Sequence, residues 1–399
     1  MDQARNKLNR RLTEYITSLE DQQMNRHLRR LSSEGKYVFS EGRRFLNLAG
    51  NDYLALASHP AVKAASTHAV ELYGTGSGAS RLVSGHLDIH EQTENAFASF
   101  KEAESALLFP TGYTANLAVL TTLPQPGDLI CQDKLNHASL IDAASFSPAE
   151  VRTYPHATRD KGYAHSKLER LLRNHATSHP AAGRWIVTDS VFSMDGDVAD
   201  LPGLCKLAEN YDAILVVDEA HATGVLGPKG TGLAELQGVS HKIPITISTA
   251  SKALGGLGGI VTADRVVIES LVNRARPFIY STAVPPAQAA AIKAAVEVVR
   301  NQPERREHLA ELSGHLRRQL SKKGWLGLDQ SVATPIIPLL TGSVKKALSL
   351  AKELRNKDFY TVAIRPPTVA SGSSRVRLSL RSDFDFDELD VLVKAIGSP

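Results

Sequence analysis

Between residues 88 and 280, short apolar runs alternate with longer stretches whose apolar positions recur at helical spacing. The runs at 106–109, 129–131, 185–188 and 214–217 are apolar without alternation, 243–248 carries Ile243, Ile245 and Ile247 at every second position, and helical patterns separate several of the five. Strands apolar at successive positions are buried on both faces, so the pattern predicts a mostly parallel sheet covered by helices. Ligands of such sheets sit beyond the carboxyl ends of the strands. Ahead of this region, residues 3–34 predict a helical lead-in, with Leu8, Leu12, Tyr15, Ile16 and Leu19 near helical spacing. Residues 36–48 predict a hairpin, and a helix is expected around 60–73. Beyond Pro286 the pattern predicts helices over 287–300 and 304–323, then strands at 336–340, 360–364 and 375–380. The last strand alternates, with Val376, Leu378 and Leu380 on one face and Arg375, Arg377 and Ser379 on the other. Such alternation predicts a sheet with one solvated face. The expected organisation is α/β: a helix and hairpin segment over 1–50, a large α/β domain over 51–285 and a smaller α+β domain over 286–399.

Composition narrows the function classes. Of 399 residues, 42% are hydrophobic and 22% charged, the balance of a soluble globular protein. No apolar run approaches the roughly 18 residues of a membrane span, and the polar N-terminus lacks the apolar core of a signal peptide. Cys131 and Cys205 make neither a disulfide framework nor a four-ligand zinc site, so a reducing cytoplasm is expected. The net charge of +4 suits anionic small molecules or an acidic carrier protein. It does not support nucleic-acid binding, because no basic block is interleaved with aromatics.

Candidate chemistry centres on residues 246–259, TISTASKALGGLGG, where Lys252 follows an apolar run among small hydroxylated neighbours. A lysine there can form a Schiff base with an aldehyde, and the following glycines admit close backbone approach. At 109–116 a strand, a glycine turn and a helix start follow one another, which offers free amides for a phosphate on Gly112 and Tyr113. His137 precedes a small-residue helix start and could stack on a planar ring. In 216–221, VVDEAH, an apolar strand delivers Asp218 with His221 three positions on; a buried carboxylate can hold a heterocyclic nitrogen protonated.

Competing readings fail on specific grounds. The glycine-rich stretch 74–80 follows a helical pattern rather than a strand, so it is a flexible loop and not a dinucleotide fingerprint. The DEAH letters at 218–221 would need a G-x-x-x-x-G-K-[ST] loop, and the sequence has none. His86 with His90, and His175 with His179, have a spacing that could ligate metal, but no third ligand completes a zinc pattern, so no metal is expected.

The stretches NDYLAL, YGTGSGASRLVSG, NHASL, VFSMDGD, VDEAHATGVLG, STASKALGGLGG, IYSTAVPPAQ and AIRPPTV span residues 51–369 in order. Through them the chain resembles the α-oxoamine synthases, fold-type I pyridoxal-phosphate enzymes with a seven-stranded-type sheet. The resemblance implies pyridoxal 5'-phosphate as cofactor, held covalently by Lys252, which also moves the Cα proton. It implies Asp218 on the pyridine nitrogen, His221 and Ser193 near the phenolic oxygen, and His137 stacked on the ring. Gly112, Tyr113 and Thr249 are implied at the phosphate, with Thr282 reaching across from a second subunit of a homodimer with shared active sites. Arg365, helped by Asn51, is implied at the amino-acid carboxylate, and Thr368 and Arg29 towards the acyl substrate. The implied reaction joins L-alanine to a pimeloyl thioester, carried by coenzyme A or an acyl carrier protein, with loss of carbon dioxide.

The chain departs from the family pattern at Asp189-Ser190, where Glu-Gly is expected, at Ala370 in place of proline, and at Ala253-Leu254 after the lysine. The shorter Asp189 leaves its contact open. Two other readings are weighed: a glycine-using relative such as 2-amino-3-ketobutyrate ligase, and a non-catalytic subunit of the same fold. The second would lack the lysine that stands at 252.

Overall fold

The apolar runs form the middle of a seven-stranded sheet in the computed structural model, which describes residues 2–156, 161–326 and 332–399. Its strands are β1 (Ser105–Phe109), β2 (Leu129–Asp133), β3 (Glu150–Tyr154), β4 (Arg184–Asp189), β5 (Ala213–Asp218), β6 (Ile245–Thr249) and β7 (Gly259–Ala263). The spatial order is β1-β7-β6-β5-β4-β2-β3. β7 runs antiparallel to both neighbours, and the remaining pairs are parallel. Successive residues of a strand point to opposite faces, and here both faces are covered. On β5, Leu215 and Val217 join Cys131 and Ile186 in one core, while Val216 joins Ile130, Val187 and Ile247 in the other. Each such side chain stabilises the fold by about 1.5–3 kcal/mol on burial. Because the other strands share one direction, Phe109, Asp133, Asp189, Asp218 and Thr249 all end on the same edge of the sheet.

β3 and β7 lie outside the sequence prediction. β3 is a polar edge strand in which only Tyr154 is fully buried. β7 is buried throughout, but its sequence continues a glycine-rich run that reads as loop.

The N-terminal helix spans Asp2–Asp21, shorter than the predicted 3–34. Gln23, in the left-handed region at φ 55°, turns the chain away, and Ser32–Glu34 is already a strand. The hairpin forms as predicted, from Tyr37–Ser40 and Arg43–Asn47. Phe359–Tyr360 extends its sheet in parallel, so the segment over 1–50 shares a sheet with the end of the chain. The strand expected at 360–364 therefore divides, with Ala363–Ile364 pairing instead to Ser374–Ser379.

Ser374–Ser379 is the middle strand of a three-stranded sheet, with Ile336–Gly342 on its other side. The expected solvated face is not solvated: Arg375 and Arg377 are only 6% and 8% exposed. Their guanidinium groups reach the turn at 192–197. The helix Pro286–Asn301 packs on the helices Pro60–Tyr73 and Asp88–Lys101, tying the C-terminal part to the large sheet's covering layer. Among the described residues, no helix is long and apolar enough to cross a membrane.

Candidate active site

The carboxyl edge of the large sheet faces the strand Ser374–Ser379 across a cleft of about 1410 Å³. Asn51, His137, Ser193, His221, Lys252 and Thr368 line it, all residues singled out from sequence. Arg377 lines it too, and sequence reasoning missed it.

Lys252 lies in the turn after β6. Hydrogen bonds from Ala250 N to Gly258 O and from Gly256 N to Ala250 O close this turn, at 2.8 Å each. Gly255 adopts φ 66°, and a Cβ there would stand 2.1 Å from Ala57 N, so only glycine lets the chain at 55–57 pass. Burial pushes the Lys252 ammonium down to about 8, against the opposing pull of the Asp218 and Asp189 carboxylates.

Asp218 ends β5 with both carboxylate oxygens engaged. Asn116 Nδ2 donates to Oδ2 and Ala220 N to Oδ1, each at 2.8 Å. Asn116 sits one helical turn beyond Gly112 and is buried; the same amide nitrogen also donates to Ser139 Oγ at 2.8 Å. The spacing of Gly112 and Asn116 was the signal that could have found it.

His137 caps the helix Ala138–Ser145, with Ser139 N donating to its Nδ1 at 3.2 Å. Its backbone N donates to Asp189 Oδ2 at 2.6 Å, so the shorter acid does reach the loop that carries the histidine. Asn136 locks the same corner, accepting from Asp189 N at 3.0 Å and donating to Val187 O at 2.9 Å. Desolvation, more than the nearby Lys252 charge, holds the His137 imidazole below its usual range, with Asp218 acting in the opposite direction. Burial also raises the Asp189 carboxyl well above the carboxylate range, reinforced by Asp218.

His221 is buried, and Nδ1 lies 2.7 Å from the Tyr53 hydroxyl. Burial, then Lys252 and Arg377, keep this imidazole neutral well below its ordinary range. The Tyr53 hydroxyl donates to Asn51 Oδ1 at 3.2 Å, and the same oxygen accepts from Arg377 Nη2. Arg377 Nη1 donates to Ser193 O at 3.0 Å. Asn51, His221, Ser193 and Arg377 thus form one wall of the cleft, hydrogen-bonded in part through the buried Tyr53 behind it.

Outside the lining of the cleft, the Gly112 turn gathers groups suited to an anion. The helix Gly112–Thr122 is capped by Thr111, whose Oγ1 accepts from Thr114 N at 3.1 Å. The amides of Gly112 and Tyr113 in its first turn have no intrahelical acceptor. A Cβ on Gly112 would meet Thr249 Cβ at 3.4 Å, which places the Thr249 side chain directly against this turn. Ser251 Oγ lies 2.9 Å from Thr249 Oγ1. A Cβ on Gly259 would strike Thr111 O at 2.3 Å, so glycine there lets the turn settle on β7.

Of the predicted residues, Gly112, Tyr113, Asp218 and Thr249 do not line the cleft, and three more stand apart from both the cleft and the Gly112 turn. Arg365 does not line the cleft: it donates to the carbonyls of Gln23 and Asn25, the latter at 3.1 Å, and holds the N-terminal segment in place. Burial and the charges of Arg26 and Arg29 lower its pKa. Arg29 is exposed beside it rather than in the cleft, while Thr368 Oγ1 accepts from Arg26 at 3.5 Å. Thr282 is exposed at a bridge with Ser80, outside the cleft of its own chain. The histidine pairs serve the fold: His90 lies 2.7 Å from Val284 O and His175 3.0 Å from Gly127 O. Among the described residues no cluster of three or more His, Cys, Asp or Glu could hold a metal.

Comparison with known proteins identifies the family. Residues 43–396 match the aminotransferase class I and II family. The chain is 43% identical to the 8-amino-7-oxononanoate synthase of Geobacter sulfurreducens over 387 residues, 96% of each protein. A solved 8-amino-7-oxononanoate synthase from Francisella tularensis is 29% identical, with a TM-score of 0.74 over 88% of this chain and 96% of that one. A structure of SPT with PLP is 25% identical, with a TM-score of 0.89 over 96% of this chain and 95% of that one.

Proposed function

The chain belongs to the aminotransferase class I and II family, and on that premise we propose that it condenses L-alanine with a pimeloyl thioester. The products would be 8-amino-7-oxononanoate, carbon dioxide and the free thiol carrier, coenzyme A or an acyl carrier protein. The class is that of its relatives: a fold-type I, pyridoxal-phosphate-dependent acyltransferase of biotin biosynthesis. The observation that carries the substrate reading is that Lys252, His137 and Arg377 line one cleft above the doubly anchored Asp218.

The residues present fit the cofactor. The Gly112 and Tyr113 amides with Thr249 would take its phosphate, since a helix N-terminus is a ready anion site. Asp218 would hold the ring nitrogen protonated, His137 would lie against the ring face, and His221 and Ser193 would stand near its phenolic oxygen. Lys252 Nζ would carry the cofactor's aldehyde carbon. When bound, the cofactor supplies an electron-accepting ring that stabilises negative charge at the amino-acid Cα.

The other steps fall to the chain. Arg377, which lines the cleft with Asn51 beside it, is better placed for the alanine carboxylate than Arg365, which does not line it. A lysine whose pKa lies near 8 can exist as a free amine close to neutral pH, so Lys252 Nζ would take the Cα proton and later return one. Thr368, with Arg29 nearer the N-terminal segment, would guide the acyl chain. Thr282, exposed away from its own cleft, would complete the phosphate site of a second copy in a homodimer. Free, buried Cys131 and Cys205 suit a reducing cytoplasm.

The test is to supply pyridoxal phosphate, pimeloyl-CoA and L-alanine or glycine, and to identify the product by mass. Release of 8-amino-7-oxononanoate with alanine supports the proposal. A product from glycine alone would point to the glycine-using branch of the α-oxoamine synthases instead.

A further inference from the structure

The wall that carries Ser193 is a tight turn. Val191 bridges Val198, and Phe192 N donates to Asp197 O while Gly196 N donates to Phe192 O, at 3.0 and 2.8 Å. On its C-terminal side this turn is gripped by two arginines. Arg377 donates to Ser193 O and Arg375 to Met194 O, at 3.0 and 3.2 Å, and Arg375 also pairs with Asp195. Thr334 Oγ1 donates to Gly196 O at 2.5 Å. On the opposite side the anchor is His156, which follows β3.

Both ring nitrogens of His156 face carboxylates from different elements. Nδ1 lies 3.0 Å from each oxygen of Asp133, at the end of β2, and Nε2 lies 2.7 Å from Asp197 Oδ2. A neutral imidazole has one N–H, so both contacts are hydrogen bonds only for the imidazolium. The ring also meets Phe192 edge-on, with centroids 4.1 Å apart. Its side chain is 10% exposed, and Asp133 is 4% exposed. Among the described residues the Asp197 carboxylate has no other hydrogen-bond partner, and its Oδ1 is buried without one. Among the described residues, the other titratable groups around the ring are Tyr154 of β3, His165 and Asp200 across a small cavity, and Asp195 paired to Arg375.

We propose that His156 is a positioning residue: as an imidazolium clamped between Asp133 and Asp197, it fixes the 192–197 turn and, through Ser193, the set of Arg377. Its own nitrogens are committed, so it presents no free donor to the cleft. The part of this inference that concerns substrate rests on the function proposed above; the anchoring of the turn does not.

The experiment compares holoenzyme of wild type, His156→Gln, Asp197→Asn and the double variant. Hydrogen exchange of the 192–198 amides reads the turn. Titration of the cofactor absorbance reads the dissociation constants of pyridoxal phosphate and of L-alanine. A hydrogen bond to a charged group corresponds to roughly tenfold or more in a binding constant. Each single variant is expected to speed exchange at 192–198 and weaken alanine binding about tenfold, with a clearly smaller loss of cofactor affinity. The double variant should be no worse than His156→Gln, because the Asp197 contact is already lost in that variant. Unchanged exchange overturns the anchor. Faster exchange with unchanged alanine binding overturns the positioning role, and so does a loss of cofactor affinity in step with alanine, the mark of a general defect. Should His156→Gln fail to fold, Asp197→Asn decides on the same readouts. Wild-type holoenzyme that binds no alanine would sink the proposed substrate instead, and exchange would then decide the anchor alone.

Discussion

Replacing Arg377 by glutamine separates the two arginines that compete for the amino-acid carboxylate. Arg377 is buried, lines the cleft, and shares Asn51 Oδ1 with Tyr53, while Arg365 is turned to the carbonyls of Gln23 and Asn25. A charge-assisted hydrogen bond contributes about 1.5–3 kcal/mol. Losing one such bond to the alanine carboxylate corresponds to roughly 10- to 150-fold in its dissociation constant. The substitution also removes the donor to Ser193 O, so some loss of melting temperature accompanies it. Cofactor binding should weaken less than alanine binding, because the phosphate groups at the Gly112 turn do not depend on Arg377 and only Ser193 O is touched. The assay is titration of the cofactor absorbance with L-alanine for wild type, Arg377→Gln and Arg365→Gln. Arg365→Gln should stay within a few-fold of wild type, its main effect being a loosened segment at 22–31. An Arg365→Gln variant that weakens alanine as much as Arg377→Gln would refute the assignment.

Lys252→Ala should abolish turnover while leaving the far-UV circular dichroism of the protein unchanged, since the lysine is asked to be both attachment point and base. Gly259→Ala should weaken pyridoxal phosphate binding and lower the melting temperature, because its Cβ would lie 2.3 Å from Thr111 O and 2.7 Å from Gly112 Cα; equilibrium dialysis and a thermal melt check this. His156 gives a pH dependence. Against the desolvation of burial, the Asp133 and Asp197 carboxylates hold its imidazole up at about 9 in the folded protein. A raised folded-state pKa contributes stability that is complete below the unfolded value of about 6.5 and lost as pH rises through about 9. The shift corresponds to stabilisation on the order of 3 kcal/mol. The gap in unfolding free energy between wild type and His156→Gln should therefore be largest near pH 6 and shrink towards pH 10, as urea unfolding at several pH values would report.

What could be read from the sequence followed from burial. Four of the runs become strands because a strand covered on both faces must be apolar at successive positions. The fifth, Ile245–Thr249, alternates isoleucine with hydroxylated residues, and together they bring Asp218 and Lys252 to one edge. β3 escaped because an edge strand with little burial, EVRTY, carries no such pattern. The alternation of Ser374–Ser379 was legible, yet it says only which residues share a face. Whether that face meets water or a turn 180 residues earlier in the chain is a tertiary fact, and Arg377 was lost to it. Arg365 was placed at the carboxylate through family resemblance, and nothing local reveals that the carbonyls of Gln23 and Asn25 claim it. His156 carries no motif of its own; its two carboxylate partners come from 133 and 197 and meet only when the strands assemble.

The claim on which the rest depends is that Lys252 carries the cofactor. Borohydride reduction of the protein loaded with pyridoxal phosphate, followed by peptide mass spectrometry, tests it most directly. The account predicts a single pyridoxyl-modified peptide containing Lys252, absent from Lys252→Ala. Modification at another lysine, Lys101 or Lys134 for example, or none at all, would contradict it.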